Sequence, residues 1–89
     1  MDDVAALSVL AALAHPTRLA TFKLLVRHEP DGLSTGEMAE QIGLSQSTFS
    51  THLAVLAKAG LVATEKRGRN QIQRADLGAL QALMTFLAN

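Results

Sequence analysis

A single residue, Leu44, separates Gly43 from Ser45, and this spacing limits what the chain can become more than any other feature. Glycine readily takes the left-handed conformation that ends a helix, and serine ahead of a periodic apolar stretch opens one. Two helices must therefore meet across a turn with no slack. Upstream, Ser34 with Glu37 three residues on reads as a capping box for a short helix through Met38, Ala39 and Ile42. Downstream, Phe49, Leu53, Leu56 and Ala57 form the buried stripe of a helix that starts at Ser45 and stops at Gly60. Two short helices joined by a tight turn containing glycine are the signature of a helix-turn-helix motif.

The flanks extend this pattern. Val4, Leu7, Leu10, Ala11 and Ala14 recur at spacings of three and four behind two acids, which predicts a helix from about Asp3 to Ala14. His15-Pro16 breaks it, and a second helix follows over about Pro16 to His28. The apolar positions of that second helix, Leu19, Ala20, Phe22, Leu24, Leu25 and Val26, cover more than one face, as in a central buried helix. Glu29-Pro30-Asp31-Gly32 is a loop.

After Gly60 the period changes to two. Leu61–Thr64 and Gln71–Arg74 read as short strands around the polar loop Glu65–Asn70, with Gly68 at its tip, and this hairpin is a basic wing. Asp76 caps a last helix in which Leu77, Leu80, Met84 and Leu87 form one stripe, widened by Leu83 and Phe86. That is more apolar surface than one neighbour covers. The predicted architecture is mainly α with a small β hairpin (α+β), in the order α-α-α-α-β-β-α, as one domain over residues 1–89 without internal repeat or linker.

A chain of 89 residues makes a marginal core alone, and 48% apolar content points to burial against a second copy. With no cysteine there is no disulfide, thiolate metal site or cysteine nucleophile in these residues. The longest apolar run, the 11 residues from Val4 to Ala14 interrupted by Ser8, is shorter than the roughly 20 of a membrane-spanning helix. Asp2 and Asp3 stand where a signal peptide would carry bases, so a cytoplasmic protein with no membrane partner is expected. The net charge of zero is a cancellation: six acids against three bases up to Glu40, five bases against two acids from Gln41 onward.

The element order resembles the ArsR-type (ArsR/SmtB) family of small bacterial winged helix-turn-helix repressors. The resemblance runs from about Leu10 to Leu87. It is carried most specifically by Leu13-Ala14-His15-Pro16-Thr17-Arg18-Leu19, by Leu44-Ser45-Gln46-Ser47-Thr48-Phe49-Ser50-Thr51-His52-Leu53 and by Leu56-Ala57-Lys58-Ala59-Gly60-Leu61-Val62. It implies a homodimer whose first and last helices pair across a two-fold axis, with Val4, Leu7, Leu10, Ala11, Leu77, Leu80, Met84 and Leu87 at the interface. It also implies two recognition helices in successive major grooves of a palindromic double-stranded DNA operator. A repressor of this kind leaves its operator when a small inducer binds, arsenite or another metalloid or metal being what the family suggests.

The residues point to DNA on their own chemistry as well. Opposite Phe49, Leu53 and Leu56, the helix after Ser45 presents Ser47 and Thr51, with Gln46, Thr48 and Ser50 near its N-terminus. Gln46 suits a bidentate contact with adenine. His52, beside the buried Leu53, is read as a phosphate contact or as packing at the edge of this face, and Lys66, Arg67 and Arg69 of the wing as phosphate or minor-groove contacts. His15 is expected as an exposed or capping residue between the first two helices.

No two of His15, His28 and His52 lie at helical ligand spacing, so no metal site is expected. Ser50 and His52, two apart on a helix, point away from each other, and no enzyme is expected. The chain departs from the family's metal sensors. The thiolate site would need cysteines where Ser34-Thr35-Gly36-Glu37-Met38 stand, and the last-helix site matches only at Asp76, with Gly78 where a histidine belongs. No cofactor is expected within these residues, and a metalloid could be held only by a cysteine-containing tail beyond Asn89. The alternatives are a winged helix used for protein–protein contact, and a repressor of this type with a non-metal inducer or none.

Overall fold

The Leu13–Leu19 stretch builds the first corner of the molecule, as seen in a computed structural model that describes residues 1–89. Helix α1 (Asp3–Leu13) and helix α2 (Pro16–Arg27) meet at 95°. His15 closes the start of α2, its Nδ1 accepting a hydrogen bond from the Thr17 N–H at 3.1 Å, with Pro16 in the first turn where it costs no bond. The end of α1 has no glycine. Instead Arg18 reaches back, its Nε donating to the Ala12 carbonyl at 2.7 Å and its Nη2 to that of Ala11 at 3.3 Å. One guanidinium thus supplies the Ala12 carbonyl at the helix end with a donor and adds a second to that of Ala11, which also accepts the Ala14 N–H.

Helix α3 (Thr35–Ile42) carries the capping box in full, Ser34 Oγ accepting from the Glu37 N–H and Glu37 Oε1 accepting from the Ser34 N–H. Gly43 sits at φ 84°. Helix α4 (Gln46–Lys58) begins on Ser45 and ends where the Leu61 N–H returns to the Leu56 carbonyl and the Gly60 N–H to that of Ala57. This pair of bonds is the Schellman motif that a left-handed glycine permits.

The sheet departs from expectation in two ways. It has three strands, β1 (Leu33–Ser34), β2 (Val62–Arg67) and β3 (Asn70–Ala75), antiparallel in the order β1-β3-β2. The extra strand β1 is two residues long and has no periodicity to read; pairing with β3, Leu33 against Gln73 and Ser34 against Ile72, is what makes it a strand. Gly32, at φ 76°, lets it approach, because a Cβ there would run into the Gln73 carbonyl oxygen. The hairpin is also longer than its apolar pattern suggests. Arg67 pairs with Asn70, so the turn is only Gly68-Arg69, with Gly68 at φ 58° as a type II′ turn requires. Leu61 lies outside the strand, and Glu65, Lys66 and Arg67, placed in the loop by the sequence, belong to β2.

Helix α5 (Leu77–Ala88) starts on Asp76, whose Oδ1 accepts from the Gly78 N–H at 3.0 Å. One cluster of 16 buried apolar residues, centred on Leu25, Met38, Phe49, Leu56 and Leu61, runs through every helix and the root of the sheet. Helix α2 contributes Phe22, Leu24 and Leu25 and buries Thr21 beside them, while Leu19, Ala20 and Val26 are exposed, so it is buried on one side and not all round. In α1 the core takes Ala6, Val9 and Ala12, leaving Val4, Leu7, Leu10 and Ala11 facing outward. In α5 it takes Leu83 and part of Leu80 and Phe86, leaving Leu77, Met84 and Leu87 exposed. No helix is long and apolar enough to cross a membrane.

Candidate nucleic-acid interface

Helix α4 is anchored by Phe49, Leu53 and Leu56 and therefore holds its opposite face outward rigidly. Gln46, Ser47, Thr48, Ser50 and Thr51 are all exposed on it. Two of these hydroxyls have work within the helix. Thr48 Oγ1 accepts from Ser45 Oγ at 3.0 Å, completing the cap, and Thr51 Oγ1 points back to the Ser47 carbonyl at 3.5 Å. Gln46 and Ser50 keep their polar groups free for an outside partner.

The hairpin completes the site. A groove of about 590 Å³ runs between Gln46 and Ser50 of α4, Lys66, Arg69, Asn70 and Gln71 of the hairpin, and Ser34, Thr35 and Gly36 at the start of α3. None of these nine residues is hydrophobic. With polar walls and the charges of Lys66 and Arg69, such a concavity is chemically suited to a polar, anionic partner. Ser34, Thr35 and Gly36 bring the start of α3 into the wall, a contribution that the sequence reading did not single out, although the capping box already occupies the N–H groups of Ser34 and Glu37. Glu37 sits in that turn, its carboxyl held below the usual glutamate range by its hydrogen bonds with Ser34.

The three wing bases part company. In β2 successive side chains alternate between faces, so Lys66 lies opposite Gln71 on the groove side while Arg67 lies on the other side with Glu65. Arg67 Nη2 is 2.9 Å from Glu65 Oε2, and Arg74 approaches the same oxygen at 4.0 Å. Lys66 and Arg69 have no carboxylate partner, so theirs is the uncompensated charge of the groove.

His52 is not part of the groove. Half-buried on the inner side of α4, its ring lies against that of His15, with centroids 4.6 Å apart and planes tilted by 40°. Its Nδ1 is buried without a partner. Of the two roles expected for it, packing is the one its position serves. His15 has its pKa lowered by desolvation, by the Arg18 charge and by His52. These two histidines are 37 positions apart in sequence, which is why no spacing rule brings them together.

The remaining expected residues form a separate surface. Between α1 and α5 an open apolar groove of about 220 Å³ is lined by Ala6, Leu7, Leu10, Phe86 and Leu87, with Asp3 at its edge. Val4, Met84 and Leu77 are exposed on the same two helices.

Comparison with known proteins gives one answer for the whole chain. The model of a helix-turn-helix domain family matches residues 13–65. The transcriptional activator HlyU of Vibrio cholerae is 34% identical over 86 residues, 97% of this chain and 77% of that protein. The biofilm growth-associated repressor of Xylella fastidiosa is 41% identical over 59 residues, 66% of this chain. The chain spans about half the length of that repressor (49%). Among solved structures, an ArsR-like transcriptional regulator from Rhodococcus superposes with a TM-score of 0.83 at 28% identity, over 96% of this chain and 77% of its own.

Proposed function

This chain belongs to the ArsR family of winged helix-turn-helix transcriptional regulators, and on that premise we propose that it is a cytoplasmic homodimer that represses from a palindromic DNA operator. The family regulates transcription and is not enzymatic. The observation that carries the reading is the wholly polar groove, which gathers the start of the recognition helix α4 and the two unpaired wing bases into one concavity. Gln46 and Ser50 reach base edges in the major groove, while Lys66 and Arg69 lie along the flanking phosphates. Ser47, Thr48 and Thr51 continue the reading face outside the concavity.

The dimer rests on the second surface. Val4, Leu7, Leu10, Leu77, Met84 and Leu87 are all more than 40% exposed, on adjoining helices of a small domain, and Ala11 and Leu80 flank them. Pairing α1 and α5 with their copies removes this area from water and presents two recognition helices to one duplex. Relief of repression follows by linkage, a small inducer preferring a dimer geometry in which the two helices fit the operator poorly. With no cysteine in these residues, sensing of arsenite or another metalloid would require thiolates beyond Asn89.

The test is the salt dependence of binding to double-stranded DNA. Three or four phosphate contacts per protomer give the dimer a log-log slope of roughly −5 to −7. A slope near −1 without sequence preference would overturn the DNA reading in favour of a protein–protein module.

A further inference from the structure

The groove has two walls, and a buried amide joins them. Gln73 lies in the central strand β3, is only 2% exposed, and is the one buried residue with an amide side chain. Its Oε1 accepts from the Thr64 hydroxyl of β2 at 2.7 Å, and its Nε2 donates to the Thr35 hydroxyl, the first residue of α3, at 3.1 Å. Thr35 lines the groove on the helix-turn-helix side, and Lys66 and Gln71, one step along the same hairpin face from Thr64 and Gln73, line it on the wing side.

No other side-chain hydrogen bond or ion pair connects the hairpin to α3 or α4. Beyond Val62 every residue of β2 is exposed, and in the outer part of β3 the half-buried Ile72 is the one apolar side chain, so little apolar packing holds the angle of the outer hairpin. Its root is held by Leu61, Val62 and Ala75 and by the Ala75 N–H donating to Glu29 Oε1 at 3.1 Å, and midway along it the backbone ladder of β3 with β1, Leu33 against Gln73 and Ser34 against Ile72, fixes the line of β3; the Gln73 side chain is what carries that hold across to β2, the strand that bears Lys66. A buried amide whose nitrogen and oxygen each need a partner is geometrically demanding, because a mismatch at either atom leaves a polar group unsatisfied. Leucine or methionine would fill the same space without specifying where the wing stands.

We propose that Gln73 is a positioning residue for DNA binding: the Thr35–Gln73–Thr64 chain sets the distance between the wing bases and the recognition helix, so that both engage one duplex at once. The proposal rests on the DNA-binding reading above. Gln73 itself touches no nucleic acid. Its effect passes through Lys66 and Arg69, which count as phosphate contacts only while the wing is held at the groove.

The experiment is a mutant cycle on the full chain, with random-sequence double-stranded DNA as probe and dimer mass and Tm measured alongside. Gln73→Met removes both hydrogen bonds at nearly constant volume. Thr35→Val removes only the link to α3, at a half-buried position where folding is little disturbed. Each is expected to make the salt slope shallower, by up to about 3–4 if all four wing contacts of a dimer are lost. In a Lys66→Ala/Arg69→Ala background the same changes should alter affinity by less than about two-fold, since the contacts they position are already gone. Equal losses of affinity in both backgrounds, or an unchanged slope, would show that Gln73 serves only the fold. A steep slope in the unaltered protein that survives both substitutions removes this proposal alone; a shallow slope in the unaltered protein removes the DNA reading and this proposal with it.

Discussion

The polar groove and the α1–α5 face are both concave and both open, yet they are exposed for opposite reasons. The first is lined by eight polar residues and a glycine and is at rest in water. The second is lined by five apolar residues and one acid, on helices that already bury Ala6, Val9, Ala12 and Leu83 on their inner sides. A polar concavity tolerates solvent and waits for a ligand, whereas an apolar one on a small domain is surface that folding has left unfinished. The two surfaces therefore bear on different equilibria, DNA affinity and self-association, and substitutions should separate them.

The largest expected effect is at the apolar face. Met84 is 61% exposed, so Met84→Lys leaves the protomer's core untouched while placing a charge in the proposed interface. Sedimentation should show a monomer, and DNA affinity should fall by orders of magnitude because each protomer then binds alone. A Met84→Lys protein that sediments as a dimer would break the assignment of α5 to the interface. Leu80→Lys tests the same helix but, being half-buried, is expected to unfold the protomer as well.

Next come the wing bases. Lys66→Ala combined with Arg69→Ala should cut affinity for all sequences alike and make the salt slope shallower by about 3–4. Arg67→Ala should change affinity by no more than about two-fold, because Arg67 is paired with Glu65 on the far face of β2. Equal effects from Lys66 and Arg67 would mean that the hairpin's faces do not divide as the strand register implies.

Gln46→Ala is a smaller and more selective change, costing about 1–3 kcal/mol at its cognate base step and relaxing preference there. Uniform weakening across sequences would place Gln46 on the backbone instead. The smallest effect belongs to the inner side of α4. His15 is held neutral in the folded state where the unfolded chain has already bound a proton, because its folded pKa lies below the ordinary 6.5. Stability should therefore be full above that value and decline as pH falls through it toward the lowered one. Urea titrations of the protein and of a His15→Asn variant, which can still cap α2, should differ in this window; identical pH profiles would show that His15 carries none of the dependence.

The helix-turn-helix was legible because its boundaries are written in adjacent residues. Ser34 with Glu37, Gly43, Ser45 and Gly60 all act within a few positions of themselves, and the structure has each in the role expected of it. The wing was legible as a hairpin but not as two faces. Placing the loop over Glu65–Asn70 made its three bases equivalent, whereas a two-residue turn extends β2 through Arg67 and sends Lys66 and Arg67 to opposite sides. The second helix shows the reverse error, an apolar count mistaken for all-round burial when Leu19 and Val26 face out.

What the amino-acid sequence determined alone is the succession of elements and the surplus of apolar surface at the two ends, because capping, turn chemistry and periodicity are interactions between near neighbours. Only the tertiary structure decided what meets what. The strand at Leu33–Ser34, the contact of His15 with His52, the reach of Arg18 to the end of α1 and the bridge from Thr35 through Gln73 to Thr64 join residues that no local rule relates. Such contacts form only once the core around Phe49 and Leu56 has brought distant segments within bonding distance. The groove proposed to read DNA is of this second kind: its residues were mostly visible one by one, but its geometry belongs to the packed chain.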